Sequence, residues 1–296
     1  MKKLFGFFVF MLLFVLLIVV IFFKGKVNTF LDEKIFKKYD DVEIKNNEYS
    51  KTSSYQYVSI HNSFLVLKKQ DILDIIYTII NSSNTHVTFY CSMDYENCLD
   101  DVSNIVNDKD TLSYINNYVH PFNSFSFISF SYSDSGKIDV NVIKKYKSDE
   151  ILEIEKLTDE IIKKEIKTKM SDKEKITAIH DYIVNNTKYD SSKKEIYDNA
   201  FSLLKYHKGI CSGYADLMSV FLTKLGFDNY LISTTNHIWN VVYVDNNWLH
   251  IDTTFDDPVV SDGSDILLDD YLLITTDELE KLNDNSHNYN RKVFAP

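Results

Sequence analysis

The sequence predicts an α+β protein in three parts: a transmembrane helix over residues 1–26, a small membrane-proximal α/β layer over 27–148, and a domain over 149–296 in which a helix-borne cysteine packs on an antiparallel sheet. Three observations predict it. Leu4 to Phe23 is a continuous apolar run, counting Gly6, bounded by Lys2, Lys3, Lys24 and Lys26. Residues 71–146 switch between helical and strand periodicity. Further on, Cys211, His237 and Asp252 follow one another, the first opening a helix and the other two standing on a hairpin.

The apolar run is the first element. Its 20 residues make about 30 Å of helix, enough for a bilayer core. A helix buried in a water-soluble core is rarely apolar on every face. A cleavable signal has a shorter core followed by small residues, and Lys24 to Phe30 offers no such site. Residues 4–23 are therefore expected to be an uncleaved, single-pass anchor in the cell membrane. For its orientation two rules disagree. Five lysines follow the span (Lys24, Lys26, Lys34, Lys37, Lys38) against two before it, which would hold the remainder inside. A very short basic N-terminus ahead of an apolar segment resembles an export signal, however, and long domains translocate largely regardless of charge. The second argument places the bulk of the chain outside the cytoplasm.

The net charge is −11, and without the four lysines of residues 1–26 the remainder carries −15. No basic stripe interrupts this balance, so a nucleic-acid partner is excluded. Hydrophobic content of 45% and aromatic content of 14% suffice for buried cores. Seven Gly and three Pro leave little room for disordered linkers, and there is no internal repeat.

In the membrane-proximal part, Asp71 to Ile80 reads as a helix, His86 to Cys91 as a strand, and Asp100 to Tyr118 as one helix or two. Phe125 to Tyr132 and Lys137 to Tyr146 read as a hairpin around Ser133-Asp134-Ser135-Gly136. The part carries no catalytic constellation, and its expected role is to space the C-terminal domain from the membrane. Cys91 and Cys98 are seven apart, and an exported protein with three cysteines divides naturally into one bridge and one free thiol. A turn at Asp94-Tyr95 would close a Cys91–Cys98 disulfide.

Asp149 to Met170 reads as a long amphipathic helix, and Ser171-Asp172-Lys173-Glu174 as a capping box opening a helix through Val184. Glycines at 209 and 213 flank Cys211 and let the chain turn tightly before the next helix. Tyr214, Ala215, Met218, Phe221, Leu222 and Leu225 then recur at helical spacing, and Gly226 is placed to end the helix in a left-handed conformation. The unpaired N–H groups at the start of this helix favour the thiolate, the nucleophilic form of cysteine.

Asn236 to Val244 is a β-branched and aromatic run, and Trp248 to Thr254 alternates like a returning strand. With Asp245-Asn246 as a two-residue loop, paired numbers sum to 491, which sets Asp252 opposite Trp239 and diagonal to His237. Diagonal neighbours lie roughly 7–8 Å apart, slack for a hydrogen bond unless the strands twist or bulge.

Three motifs now stand together: Gly-x-Cys-x-Gly-Tyr-Ala at 209–215, His-x-Trp-Asn-x-Val at 237–242, and Trp-x-x-x-Asp-x-Thr-x-Asp-Asp-Pro at 248–258. In combination they resemble the transglutaminase-like superfamily, over roughly residues 170 to 290. The resemblance implies a papain-like core with Cys211 as nucleophile, His237 as general base and acid, and Asp252 orienting the imidazole. It also implies attack on a protein or peptide amide, a thioester, and then peptide hydrolysis, deamidation or transfer to an amine. Hydrolysis is the first expectation; a non-catalytic surface scaffold is the alternative from another class. Phe255 stands where many relatives carry Trp and is read as packing.

The Cys211 N–H is the expected oxyanion donor, with Tyr189, Ser212, Tyr214 and Trp239 as further oxyanion or substrate residues. His250 shares the Asp252 face and is an alternative base. His207 lies four residues before Cys211, yet no second Cys or His stands at ligand spacing, so no metal or other cofactor is expected. The acidic run from Asp256 to Asp265 lacks the Glu of a calcium loop and reads as solvated.

Overall fold

A computed structural model describes residues 2–24, 26, 42–190, 198–258 and 266–294. Lys2–Phe22 is a helix, α1, and its side chains from Phe10 to Ile18 are exposed. Among the described residues no helix is long and apolar enough to cross a membrane; the expected span, Leu4 to Phe23, lies partly outside the described side chains.

Residues 42–147 contribute a four-stranded sheet covered by three helices. The strands are β1 (Leu65–Val66), β2 (His86–Cys91), β3 (Phe125–Tyr132) and β4 (Lys137–Lys144), in the spatial order β1-β2-β4-β3. The first pair is parallel and the others antiparallel. Helix α2 (Lys69–Ile80) begins two residues before the expected Asp71. The reason is that the Asp71 carboxylate reaches back to accept from the Leu67 and Lys68 N–H groups at 2.8 and 3.1 Å, acting inside the first turn rather than ahead of it. Ile72, Ile75, Ile76, Ile79 and Ile80 form its fully buried stripe. The segment 100–118 is two helices, α3 (Cys98–Asn107) and α4 (Lys109–Asn117), because Asp108 breaks the run and caps the second through a bond from the Asp110 N–H.

Cys91 ends β2, Cys98 opens α3, and a disulfide joins them with Cα atoms 5.8 Å apart. The β3–β4 turn closes against it. Gly136 has φ +82°, its carbonyl accepts from the Cys91 N–H at 2.8 Å, and an added Cβ would meet the Cys91 Cβ at 3.1 Å. Both the conformation and the close approach call for glycine. Strand β4 stops at Lys144 rather than Tyr146, since Lys145 and Tyr146 leave the ladder to bind the buried Asp216 carboxylate at 2.8 and 2.6 Å.

Helix α5 (Ser148–Glu165) ends five residues short of the expected Met170, with Ile166 already extended. Ser171 and Glu174 form the expected capping box at the start of α6 (Asp172–Asn186). The short helix α7 (Ala200–Tyr206) then ends on His207 in a left-handed conformation. A two-residue parallel pair, β5 (Lys188–Tyr189) with β6 (Lys208–Gly209), sets Tyr189 beside Gly209. Helix α8 (Cys211–Lys224) follows. Gly226, at φ +86°, lets the Phe227 N–H reach the Leu222 carbonyl at 2.9 Å and closes the helix as expected.

The second sheet is antiparallel, in the order β10-β9-β8-β7, from β7 (Asn229–Ser233), β8 (Ile238–Val244), β9 (Asn247–Ile251) and β10 (Leu272–Ile274). Helix α9 (Thr276–Lys281) comes next. Val244 pairs with Asn247, and Asp245 and Asn246 have φ of 52° and 62°, the paired positive values of a type I′ turn. Two residue types that tolerate this region occupy the loop, which fixes the register.

Both faces of this sheet are buried. Val242, Val244, Leu249 and Ile251 pack with Tyr214, Leu217, Met218 and Phe221 of α8. Tyr230, Ile232, Trp239 and Val241 share a core with Ile72, Ile76, Tyr118 and Phe294. Tyr118 packs against Tyr55 and Tyr230 with ring centres 4.8 Å apart in each case. The Asn117 amide donates to Ser233 Oγ at 2.6 Å. Residues of the 42–147 layer are thus packed directly on the sheet that follows His237.

The disulfide closes a short loop, so by the chain-entropy estimate its removal costs about 2–3 kcal/mol. The double variant Cys91→Ser, Cys98→Ser is expected to unfold at lower urea by that amount, and non-reducing peptide mapping of the native protein should recover the linked pair. Alkylation of both residues in denatured, unreduced protein would contradict the bridge.

Candidate active site

The Cys211 thiol stands at the first position of α8. The preceding residue, Ile210, is extended and supplies no side-chain cap, so no carboxylate or hydroxyl covers this helix start from the N-cap position. The positive end of the helix is therefore presented to the thiol. Cys211 is half-buried and is the chain's one cysteine outside the disulfide.

His237 immediately precedes β8 and Asp252 immediately follows β9, so the hairpin brings both to one end, away from its loop. The His237 imidazole bonds through Nε2 to Asp252 Oδ2, and the Cys211 side chain lies near enough to act on the same ring. Because Nε2 faces the carboxylate, Nδ1 is the ring nitrogen left for the thiol. Trp239 stacks on the imidazole with centroids 5.7 Å apart and planes at 16°, and Phe255 packs at 4.8 Å. The diagonal slack of the flat hairpin is taken up beyond the ladder, where the Asp252 N–H turns to the Tyr271 carbonyl at 3.1 Å.

Asp252 is 2% exposed. Its Oδ1 accepts from the Thr254 and Phe255 N–H groups at 3.0 and 3.2 Å. Its Oδ2 accepts from His237 and from a second imidazole, His287, at 2.8 Å. Burial by itself would raise this carboxyl, but the bonds from His237 and His287 outweigh it and hold the group below its ordinary value. Burial would likewise depress His237, and Asp252 and Cys211 outweigh it and raise the imidazole. The arrangement can take a proton from the thiol onto Nδ1, hold the imidazolium, and return the proton to a leaving group.

The other expected residues divide. Tyr189 lies close enough to Cys211 for its phenol to be raised by burial and then by the cysteine's charge. Ser212 follows the cysteine but donates to the Asp198 carbonyl at 2.8 Å. Tyr214 and Trp239, expected to contact substrate or oxyanion, are instead interior. Tyr214 is fully buried and donates to Asp257 Oδ2; the Trp239 Nε1–H donates to His250 Nδ1 at 3.1 Å. His250, the alternative base, is thereby engaged, with its Nε2 on Thr276 Oγ1 at 3.1 Å and burial pushing it down to about 3. His207 caps α7, with Nδ1 on the Asn186 carbonyl at 3.0 Å.

The beginning of the acidic run is not solvated. Asp256 is fully buried and accepts from His180 Nε2 at 3.0 Å, and Asp257 is held by Tyr214. These carboxylates fasten the loop after β9 to α6 and α8. Residues 259–265 lie outside the described residues.

Sequence reasoning missed His287 and His180. Neither carries a local signal: His287 sits in the polar run Asn283–Asn290, and His180 looks like one more inward position of an amphipathic helix. Among the described residues, His237, Asp252 and His287 also bring three potential metal-ligand atoms within 4.8 Å of one another. Asp252 Oδ2 is bonded to both Nε2 atoms, so the three face each other rather than a common centre, and a cation would have to break both bonds.

One comparison with known proteins bears on the cysteine-bearing segment. Residues 159–253 match the family model of the transglutaminase-like superfamily, a segment that carries Cys211, His237 and Asp252. Two solved structures are similar in part. One is described as a TGase, at 16% identity and a TM-score of 0.34, covering 48% of each chain. The other is a candidate cysteine protease from Cytophaga hutchinsonii, at 17% identity and a TM-score of 0.29, covering 43% of this chain and 61% of the other. The match thus spans about half to three fifths of these structures' own length. No curated protein matches the sequence.

The raised imidazole and lowered carboxyl make stability depend on pH. An unfolded imidazole titrates near 6.5 and a carboxyl near 3.9. His237, raised, contributes fully below about pH 6.5, and its contribution is lost as pH rises through the folded value. Asp252, lowered, contributes fully above about pH 4, and its contribution is lost as pH falls through the folded value. The His237→Gln variant should therefore show its largest loss of stability between about pH 4 and 6.5 and a smaller one near pH 9. Urea unfolding across this range checks it; a penalty independent of pH would contradict it.

Proposed function

We propose that the chain is a membrane-anchored cysteine enzyme that attacks protein or peptide amides, with peptide hydrolysis as its main reaction. The observation that carries this reading is the gathering of Cys211 with the bonded His237–Asp252 pair at the start of α8. Cys211 adds to the carbonyl carbon while its proton passes to His237. The tetrahedral oxyanion lies against the Cys211 N–H at the helix start, with Tyr189 beside the thiol. His237 then protonates the departing amine, leaving a thioester on Cys211. A water, activated by the same imidazole, releases the acid and restores the thiol.

Hydrolysis is favoured over transfer because Cys211 is only partly buried, and an acyltransferase must shelter its thioester from water. The match over residues 159–253 supports thiol chemistry without selecting the acceptor. Anchoring rests on Leu4 to Phe23, and placement outside the cytoplasm on the short basic N-terminus together with the Cys91–Cys98 bridge, which an oxidising compartment maintains. With −15 on the part beyond the anchor, nucleic acid is not a partner.

Incubation of the protein with a peptide library and a tagged primary amine, read by mass spectrometry, tests the reaction. Cleaved peptides are expected, absent with Cys211→Ala and reduced on the order of 10⁴-fold with Asp252→Asn, which leaves the imidazole misoriented. Amine adducts would make the enzyme a transferase, and neither product would leave a scaffold.

Location is tested separately. Protease added to intact cells should degrade the domain while sparing cytoplasmic markers. Protection until lysis would reverse the orientation.

A further inference from the structure

The Asp252 carboxylate has a second imidazole that the reaction above does not use. His287 lies in a one-turn 3₁₀ segment, Asn285–His287, and is 6% exposed. Its Nε2 is 2.8 Å from Asp252 Oδ2 and its Nδ1 3.2 Å from Asp284 Oδ2. The ring is held by aromatic neighbours on several sides. It stacks on Tyr271 at 4.9 Å, packs edgewise on Trp239 and Phe255 at 4.8 Å each, and stands nearly perpendicular to His237 at 5.3 Å. Asp284 is fixed in turn, accepting from the Ser286 N–H at 2.8 Å and from the Tyr271 hydroxyl at 3.4 Å.

We infer that His287 is a positioning residue for the reaction centre, locking the Asp252 carboxylate in the plane that aims Oδ2 at His237. The inference rests on the triad reading above. The physical case is one of rotation. A carboxylate held by backbone donors on Oδ1 and by His237 on Oδ2 can still swing about its Cβ–Cγ bond whenever His237 moves during proton transfer. A donor from a rigid ring on the other side of Oδ2 removes that freedom, so the imidazole returns to one orientation after each transfer.

The same donor keeps the carboxylate charged beside an imidazole that must accept a proton. The charged or titratable groups that face His287 are Asp252, Asp284, His237, His250 and Tyr271. Both of its nitrogens meet carboxylates, and a neutral ring can donate to only one of them. The bond to Asp284 therefore competes with the bond to Asp252 once the ring carries a single proton.

The test uses the rate of Cys211 alkylation by iodoacetamide as a function of pH, in the full chain with its disulfide intact. His287→Phe keeps an aromatic volume without a donor, and His287→Gln keeps an N–H donor near the Nε2 position. The Phe variant is expected to lose roughly tenfold to hundredfold in alkylation rate at neutral pH, with a displaced pH profile. The Gln variant should recover most of that loss. A folded Phe variant with wild-type rate and profile would overturn the inference, as would equal impairment of Phe and Gln, which would mean packing alone. If the Phe variant does not fold, the Gln variant decides: near wild-type rates support the role, and rates as low as those of Asp252→Asn refute it. A wild-type thiol whose rate is indifferent to His237→Ala would overturn the triad reading itself, and this inference with it.

Discussion

A single buried charge, the carboxylate of Asp252, sets the terms for the active-site end of the molecule. An ionised carboxylate without partners in a protein interior is prohibitively unfavourable, so the chain around it must deliver donors to both oxygens. Two come from the backbone immediately after it, because the chain turns at Asp252-Thr253-Thr254 and points the Thr254 and Phe255 N–H groups back at Oδ1. The other two are imidazoles from β8 and from the segment after α9. The turn cannot open without stranding the charge, and the imidazoles cannot leave without the same penalty. Site geometry and local stability are therefore one constraint here.

The sheet beneath this end is buried on both faces, and the two faces do different work. Toward α8 it carries Val242, Val244 and Ile251, which seat the helix whose first residue is the thiol. Toward the other side it carries Trp239 and Val241, continuous with the core of the 42–147 layer through Tyr230, Tyr118 and Phe294. Trp239 is the link between that core and the base: one face of its indole backs the His237 ring, and its N–H is tied through His250 to Thr276 at the start of α9. A layer that the sequence presents as a spacer thus supplies packing behind the His237 imidazole. Fully buried Val, Ile and Trp on adjacent strands are what a sheet covered on both sides requires.

What could be read from sequence follows the range of each interaction. The hairpin was legible because two loop residues that tolerate positive φ, Asp245 and Asn246, fix the register within a few residues. The Ser171–Glu174 box, the Gly226 stop and the Cys91–Cys98 pair are equally local. Pairs that are far apart in the chain were not legible. His287 is 35 residues from Asp252, His180 is 76 from Asp256, and Lys145 is 71 from Asp216, with nothing in either neighbourhood naming the other. Strand β7 was not recognised, and each of its five residues is buried, which leaves no alternation to detect. Tyr214 and Trp239 looked like polar handles beside the catalytic residues, but each polar atom finds its partner inside the protein.

The long-range pairs have an electrostatic consequence that local reading could not supply. Among the described residues four carboxylates are buried near the Asp252 end: Asp216 beside Lys145 and Tyr146, Asp252 between two imidazoles, Asp256 on His180, and Asp257 on the Tyr214 hydroxyl. Burial and the neighbouring Asp252 both push Asp256 up, while His180 pulls the other way. Of the loop after β9, Asp252 meets His237, whereas Asp257 reaches Tyr214 in the first turn of α8, the helix whose positive end is presented to the thiol. A negative potential behind the imidazole favours its protonated form, and a helix N-terminus beneath the sulfur favours the thiolate. The Asp252 carboxylate thus acts on the imidazole and the helix start on the sulfur, one influence on each partner of the Cys211–His237 pair.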